Sequence, residues 1–140
     1  MTPNSVIMSA LFERIEAAQL PWPILWPGVG GEPPDRGAWV EIHYHPLESL
    51  DSGLGDHDDV IERGILNISI MSRPGYGMAP LQRAAEEVVK FFPKGLRLNK
   101  LVRIVAHPKT TIIRPTIAAS LTSKVGEDKM GVNVQINYSR

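Results

Sequence analysis

Hydrophobic and polar positions change their period several times along the chain, and each change marks an element. In the first segment Ile7, Leu11, Ile15 and Ala18 recur at intervals of four, four and three, which sets them along one side of a helix spanning about 4–19. Asn4 or Ser5 stands where a side-chain oxygen caps the first free N–H groups, and Glu13, Arg14 and Glu16 lie off the apolar stripe. Pro21 and Pro23 are expected to stop this helix, because each lacks an N–H and pushes its predecessor out of the α region.

A stretch rich in Pro, Gly and Trp follows as far as Gly37, with Ile24, Leu25 and Trp26 as a short strand inside it. The period then drops to two. Val40, Ile42 and Tyr44 alternate with Trp39, Glu41, His43 and His45, which predicts a strand with one buried and one wet face. From Val60 to Ser72 a second long strand puts Leu66, Ile68 and Ile70 toward the core, so residues 38–72 read as a hairpin. Its tip, residues 46–59, carries Glu48, Asp51, Asp56, Asp58 and Asp59 with no Lys or Arg, and reads as an acidic loop.

Helical spacing returns at about 79–92, where Pro80 suits the first turn and Leu81, Ala84, Ala85, Val88 and Phe92 form the buried stripe. Pro93 and Gly95 end it. The C-terminal part, about 101–139, reads as strands: one around Leu101 to Ala106, another in the Thr/Ile stretch with Ile112, Ile113 and Ile117 to Leu121, a turn at Gly126 to Lys129, and a terminal strand with Val132, Val134, Ile136 and Tyr138 on one face. Helix, strands, helix, strands is the order of a single α+β domain over 1–140, with a mainly antiparallel sheet and two helices packed on one face.

Composition narrows the chemistry. The 140 residues hold 15 Lys and Arg against 15 Asp and Glu, and no Cys. Disulfides, thiolate metal sites and Cys nucleophiles are therefore excluded. Zero net charge removes the global footprint of a sequence-specific nucleic-acid binder, which needs a surplus of cations on one face. The apolar runs are far shorter than the roughly 20 residues of a membrane span. The N-terminal segment has Glu13 and Glu16 and no early cationic cluster, so it does not read as a signal peptide; a cytoplasmic place of synthesis and assembly is the expectation.

The motifs that promise catalysis do not complete themselves. Gly75-Tyr76-Gly77 follows a strand and opens a helix as a dinucleotide-binding turn does, yet Pro80 replaces the third glycine, and Lys100 and Arg103 stand where a ribose-binding acid is wanted. The plainer reading is a tight turn that needs positive φ. His43 and His45 share a strand face, and with His57, Asp56, Asp58 and Asp59 they are the raw material of a divalent-metal site, but nothing fixes a second layer of partners and a solvated strand face is the default. There is no Gly-x-Ser-x-Gly elbow, and His107 precedes a proline. No catalytic, cofactor or metal residue is assigned. Lys94, Arg97, Lys100, Arg103 and Lys109 form a basic stretch that reads as a partner surface or a solvated face.

Leu20-Pro21-Trp22, the loop from Trp26-Pro27 to Pro33-Pro34, the strand AWVEIHYHP, Arg63-Gly64-Ile65, then Arg73-Pro74-Gly75-x-Gly77 before an Ala-rich helix ending FFPKG, and the terminal VNVQINY together resemble the tail-terminator, or tail-completion, proteins of long-tailed bacteriophages. The resemblance covers almost the whole chain by order and spacing and is most specific from Trp26 to Gly95. It implies a non-enzymatic α+β virion subunit that forms a ring, typically of six, on the last ring of the tail tube. Such a ring stops tube polymerisation and offers the head-completion or neck protein a docking surface, with DNA passing through it. Closing a ring head to tail takes two different patches on each subunit. The basic strip (Lys94, Arg97, Lys100, Arg103) and the acidic loop (Asp51, Asp56, Asp58, Asp59) are the candidates; the alternative for the acidic loop is a place facing the lumen or the tube, where its charge repels DNA phosphate. Another head–tail connector subunit is the alternative within the same assembly; a small metal-dependent hydrolase using His43, His45, His57 and Asp58 ranks below both.

Overall fold

The computed structural model describes residues 4–28, 37–47, 50–51, 60–73, 77–100, 102–113 and 130–140. In chain order the elements are α1 (Asn4–Ala17), β1 (Ile24–Leu25), β2 (Ala38–Pro46), β3 (Leu50–Asp51), β4 (Val60–Ile61) and β5 (Arg63–Ser72). They continue with α2 (Ala79–Phe91), β6 (Arg97–Leu98), β7 (Val102–Ile104), β8 (Lys109–Ile113) and β9 (Met130–Ser139). The result is an α+β fold with a mostly antiparallel sheet of seven strands.

Three long strands carry the sheet. β5 lies in the middle, antiparallel to β2 from Ala38↔Ser72 to Pro46↔Gly64 and to β9 from Arg63↔Ser139 to Ser72↔Met130. Their alternation is what a sheet with one buried face requires: Val40 and Ile42, Leu66, Ile68 and Ile70, and Val132, Val134, Ile136 and Tyr138 are all buried on the same side. The expected hairpin, the core faces of both its strands and that of the terminal strand are therefore observed. β4 and β5 are separate, because the chain breaks step at Glu62; β4 pairs instead with β3 in a two-stranded ladder, Asp51↔Val60 and Leu50↔Ile61. Most of the expected acidic loop, including Asp56, Asp58 and Asp59, lies outside the described residues, as does the segment holding Ile117 to Leu121 and the turn at Gly126 to Lys129.

Beyond β9 the sheet continues through β7 and β6, with β8 also paired to β9 further along the same edge. The short strand at Ile24 and Leu25 is present and runs parallel to β2, at the opposite edge. Both helices cover the buried face. Ile7, Ala10, Leu11 and Ile15 of α1 and Leu81, Ala84, Ala85 and Val88 of α2 join Phe92 and the inward strand residues in one hydrophobic cluster. Each large side chain buried this way stabilises the fold by roughly 1.5–3 kcal/mol.

Both helix ends have a local cause. α1 stops at Ala17, earlier than its prolines would dictate: Ala18 N donates to Ile15 O and Gln19 N to Glu16 O, each at 3.1 Å, and Gln19 then turns left-handed at φ 49°. The tightened last turn, rather than Pro21, is the stop. In α2 Pro80 occupies the first turn and Phe92 closes the C-terminus, donating its N–H to Val89 O. Before α2, Gly77 has φ 94°, the positive φ expected of that turn. No helix among the described residues is long and apolar enough to cross a membrane.

Candidate interface surfaces

Opposite the helices, the second face of the sheet is built from successive cross-strand rows. Register places Arg63, Ser139, Arg103 and Arg97 side by side in the first row, on β5, β9, β7 and β6. Further along come His45, Ile65 and Asn137, then His43, Asn67, Gln135 and Lys109, then Glu41, Ser69, Asn133 and Thr111, and finally Trp39, Met71, Gly131 and Ile113. In the middle the uncharged polar side chains hold each other. Ser69 Oγ donates to Asn133 Oδ1 at 2.9 Å and Asn133 Nδ2 donates to Asn67 Oδ1 at 3.1 Å.

The last row corrects the expectation of a uniformly wet face. Trp39 is fully buried, although Glu41, His43 and His45 on the same side are at least partly exposed. The Arg73 guanidinium stands 5.8 Å from the Trp39 ring centroid. Next along the row, the absence of a side chain at Gly131 leaves room for Met71, whose Sδ would lie 2.7 Å from a Cβ at that position. The face therefore runs from a cationic row at one end, through a mixed middle of imidazoles, amides, hydroxyls and Ile65, to a closed apolar row at the other.

The basic strip is gathered at the cationic end. Arg97, Lys100 and Arg103 line one concavity of about 360 Å³ together with Arg140, Val102 and Val105. Among the described residues none of these four cations forms an ion pair. Lys94 is exposed in the turn before β6 and does not line the concavity, and Lys109 sits rows away opposite Gln135. Arg140 and Arg63 escape a reading of charge runs because they are distant in sequence from the strip; the register of the terminal strand is what brings them in. Of the acidic candidates, Asp51 is on β3, rooted at the same end of the sheet.

Among the described residues the histidines do not gather into a centre. His43 and His45 rings are stacked, 6.3 Å between centroids and 16° between planes, on an exposed part of β2. No group of three or more metal-capable side chains occurs among the described residues; His57, Asp56, Asp58 and Asp59 lie outside them. The titratable groups that are displaced belong to the core side. Burial pushes the Tyr138 phenol well above its ordinary value, with the adjacent Tyr44 and the charge of Glu62 adding to it. Tyr44 is also raised, chiefly by burial. The two rings stack at 5.7 Å, and Glu62 is 8% exposed beside them.

Comparison with known proteins decides what these surfaces belong to. The family model described as phage tail terminator protein matches residues 6–138. The chain belongs to that family. It is thus a structural component of a phage tail and part of the virion. A solved structure known only by a sequence identifier shares the terminator's fold with a TM-score of 0.70 at 20% identity, covering 99% of this chain and 96% of the other. At that identity the likeness speaks for the fold alone. No curated protein matches the terminator chain.

Proposed function

We propose that this tail terminator caps the last ring of the tail tube, stops the addition of further tube subunits and presents the surface on which the head-completion or neck protein docks. It acts as a ring of copies of itself, six in number, through which the DNA passes, and it joins the tail during assembly in the host cytoplasm. The observation that carries the reading is the family match, which runs through every long strand and both helices. Two features support it. The helices cover only one face of the sheet, leaving at the cationic end of the other face Arg97, Lys100, Arg103 and Arg140, without ion pairs among the described residues, for contacts with other chains. A subunit that must touch neighbours, tube and neck needs several unlike surfaces, and the Arg63–Ser139–Arg103–Arg97 row and the Trp39–Met71–Gly131 row are unlike.

Electron microscopy of tube protein polymerised with and without this protein tests the reading. Shorter tubes blocked at one end are the expected result. Tubes of unchanged length with no added density refute it, and stronger affinity for isolated neck protein than for tube ends moves the protein to the connector.

A further inference from the structure

The concavity at the cationic end of the sheet has the chemistry of a carboxylate site. Arg97 and Arg103 are direct cross-strand partners, so two like charges face each other on one surface, an arrangement that weakens a sheet. Lys100 and Arg140 line the same hollow, and no carboxylate among the described residues pairs with any of the four. Val105, 37% exposed, adds an apolar side chain to its lining. Guanidinium groups clustered over a partly apolar hollow suit planar carboxylates, which they bind through paired N–H donors.

The complementary charge is on the chain itself. Residues 48–59 carry Glu48, Asp51, Asp56, Asp58 and Asp59 and no Lys or Arg. Of these only Asp51, on β3, is among the described residues. The acidic segment is rooted on β2 and β5, where Pro46↔Gly64 is the last rung and Leu47 N donates to Arg63 O at 2.8 Å. The hollow lies on β9, β7 and β6, across the same end of the sheet. A neighbour displaced sideways in a head-to-tail array therefore presents its acidic root to this hollow.

We propose that the hollow formed by Arg97, Lys100, Arg103 and Arg140 binds the carboxylates of segment 48–59 from a second copy of the chain. The proposal rests on the reading of the protein as a self-assembling terminator and supplies the contact between its subunits. Charge complementarity of this kind sets orientation and register between copies.

The test is binding of a synthetic peptide with the sequence of residues 48–59 to the full-length chain, followed by fluorescence anisotropy. Saturable binding is expected, weakening about tenfold or more between about 50 and 300 mM salt, as screening requires. Arg97→Glu with Arg103→Glu should reduce it at least about tenfold, and Arg97→Gln with Arg103→Gln gives the same direction if circular dichroism shows the first variant unfolded. The peptide with Asn at positions 51, 56, 58 and 59 should not bind. Absence of binding, equal binding of the Asn peptide, or tighter binding of a duplex oligonucleotide to the same residues overturns the proposal. Tube length with the unaltered protein is read separately, so the capping function and this contact fail independently.

Discussion

The Tyr138 hydroxyl fills the space that a Cβ at Gly64 would take, and the two residues are direct partners across β5 and β9. Gly64→Ala should therefore destabilise the fold by about 1–3 kcal/mol, as overpacking of a closed core does. Urea unfolding measures it, with an unchanged slope. Combined with Tyr138→Leu, the loss should fall short of the sum of the single changes by at least about 0.5 kcal/mol. Strict additivity would show that the ring is not the obstacle.

The same ring predicts an alkaline limit. Burial raises the phenols of Tyr138 and Tyr44 in the folded state, so an unfolded chain ionises at the ordinary value near 10 while the folded chain holds its protons. Stability is fully present below pH 10 and is lost as the pH rises above it, by up to about 1.4 kcal/mol per pH unit for each group. Denaturation midpoints at stepped pH should fall more steeply for the unaltered protein than for Tyr138→Phe. Parallel curves would contradict the assignment.

Arg14 joins the two helices. Its Nε donates to Phe91 O at 2.8 Å, and its guanidinium stands 5.1 Å from the Phe91 ring centroid, at the C-terminal end of α2 where backbone carbonyls lack partners. Arg14→Ala should cost about 1–2 kcal/mol, and Arg14→Lys should recover only part, since an ammonium cannot make both contacts. Hydrogen exchange should show α1 amides opening first; uniform opening would place the loss elsewhere.

Ile112 and Val132 are partners across β8 and β9, yet Val132 is fully buried and Ile112 is 45% exposed. Ile112→Lys should change the stability of the isolated chain by less than about 0.5 kcal/mol. Val132→Lys buries an unpaired charge and should abolish the folded circular dichroism spectrum. Similar losses from both would mean that the β8 edge is covered.

These cases show what alternation reveals and where it stops. The inward sets of β2, β5 and β9 and the stripe of α2 were legible because one period of two or 3.6 fixes a face along a whole element. Trp39 was misplaced because its burial depends on Met71, Gly131 and Arg73, which sequence spacing does not bring together. The hollow was half legible: Arg97, Lys100 and Arg103 are close in sequence, whereas Arg140 arrives through the pairing of β7 with β9. The end of α1 illustrates the same limit, since a left-handed Gln19 breaks the helix before the prolines act.

The gradient along the outer face, from the Arg63–Ser139–Arg103–Arg97 row to the Trp39–Met71–Gly131 row, gives the subunit a top and a bottom that cannot be exchanged. Under the capping proposal, a ring of such subunits has two unlike rims. Once one rim has met the tube, the rim left outward is a different surface, open to a different partner.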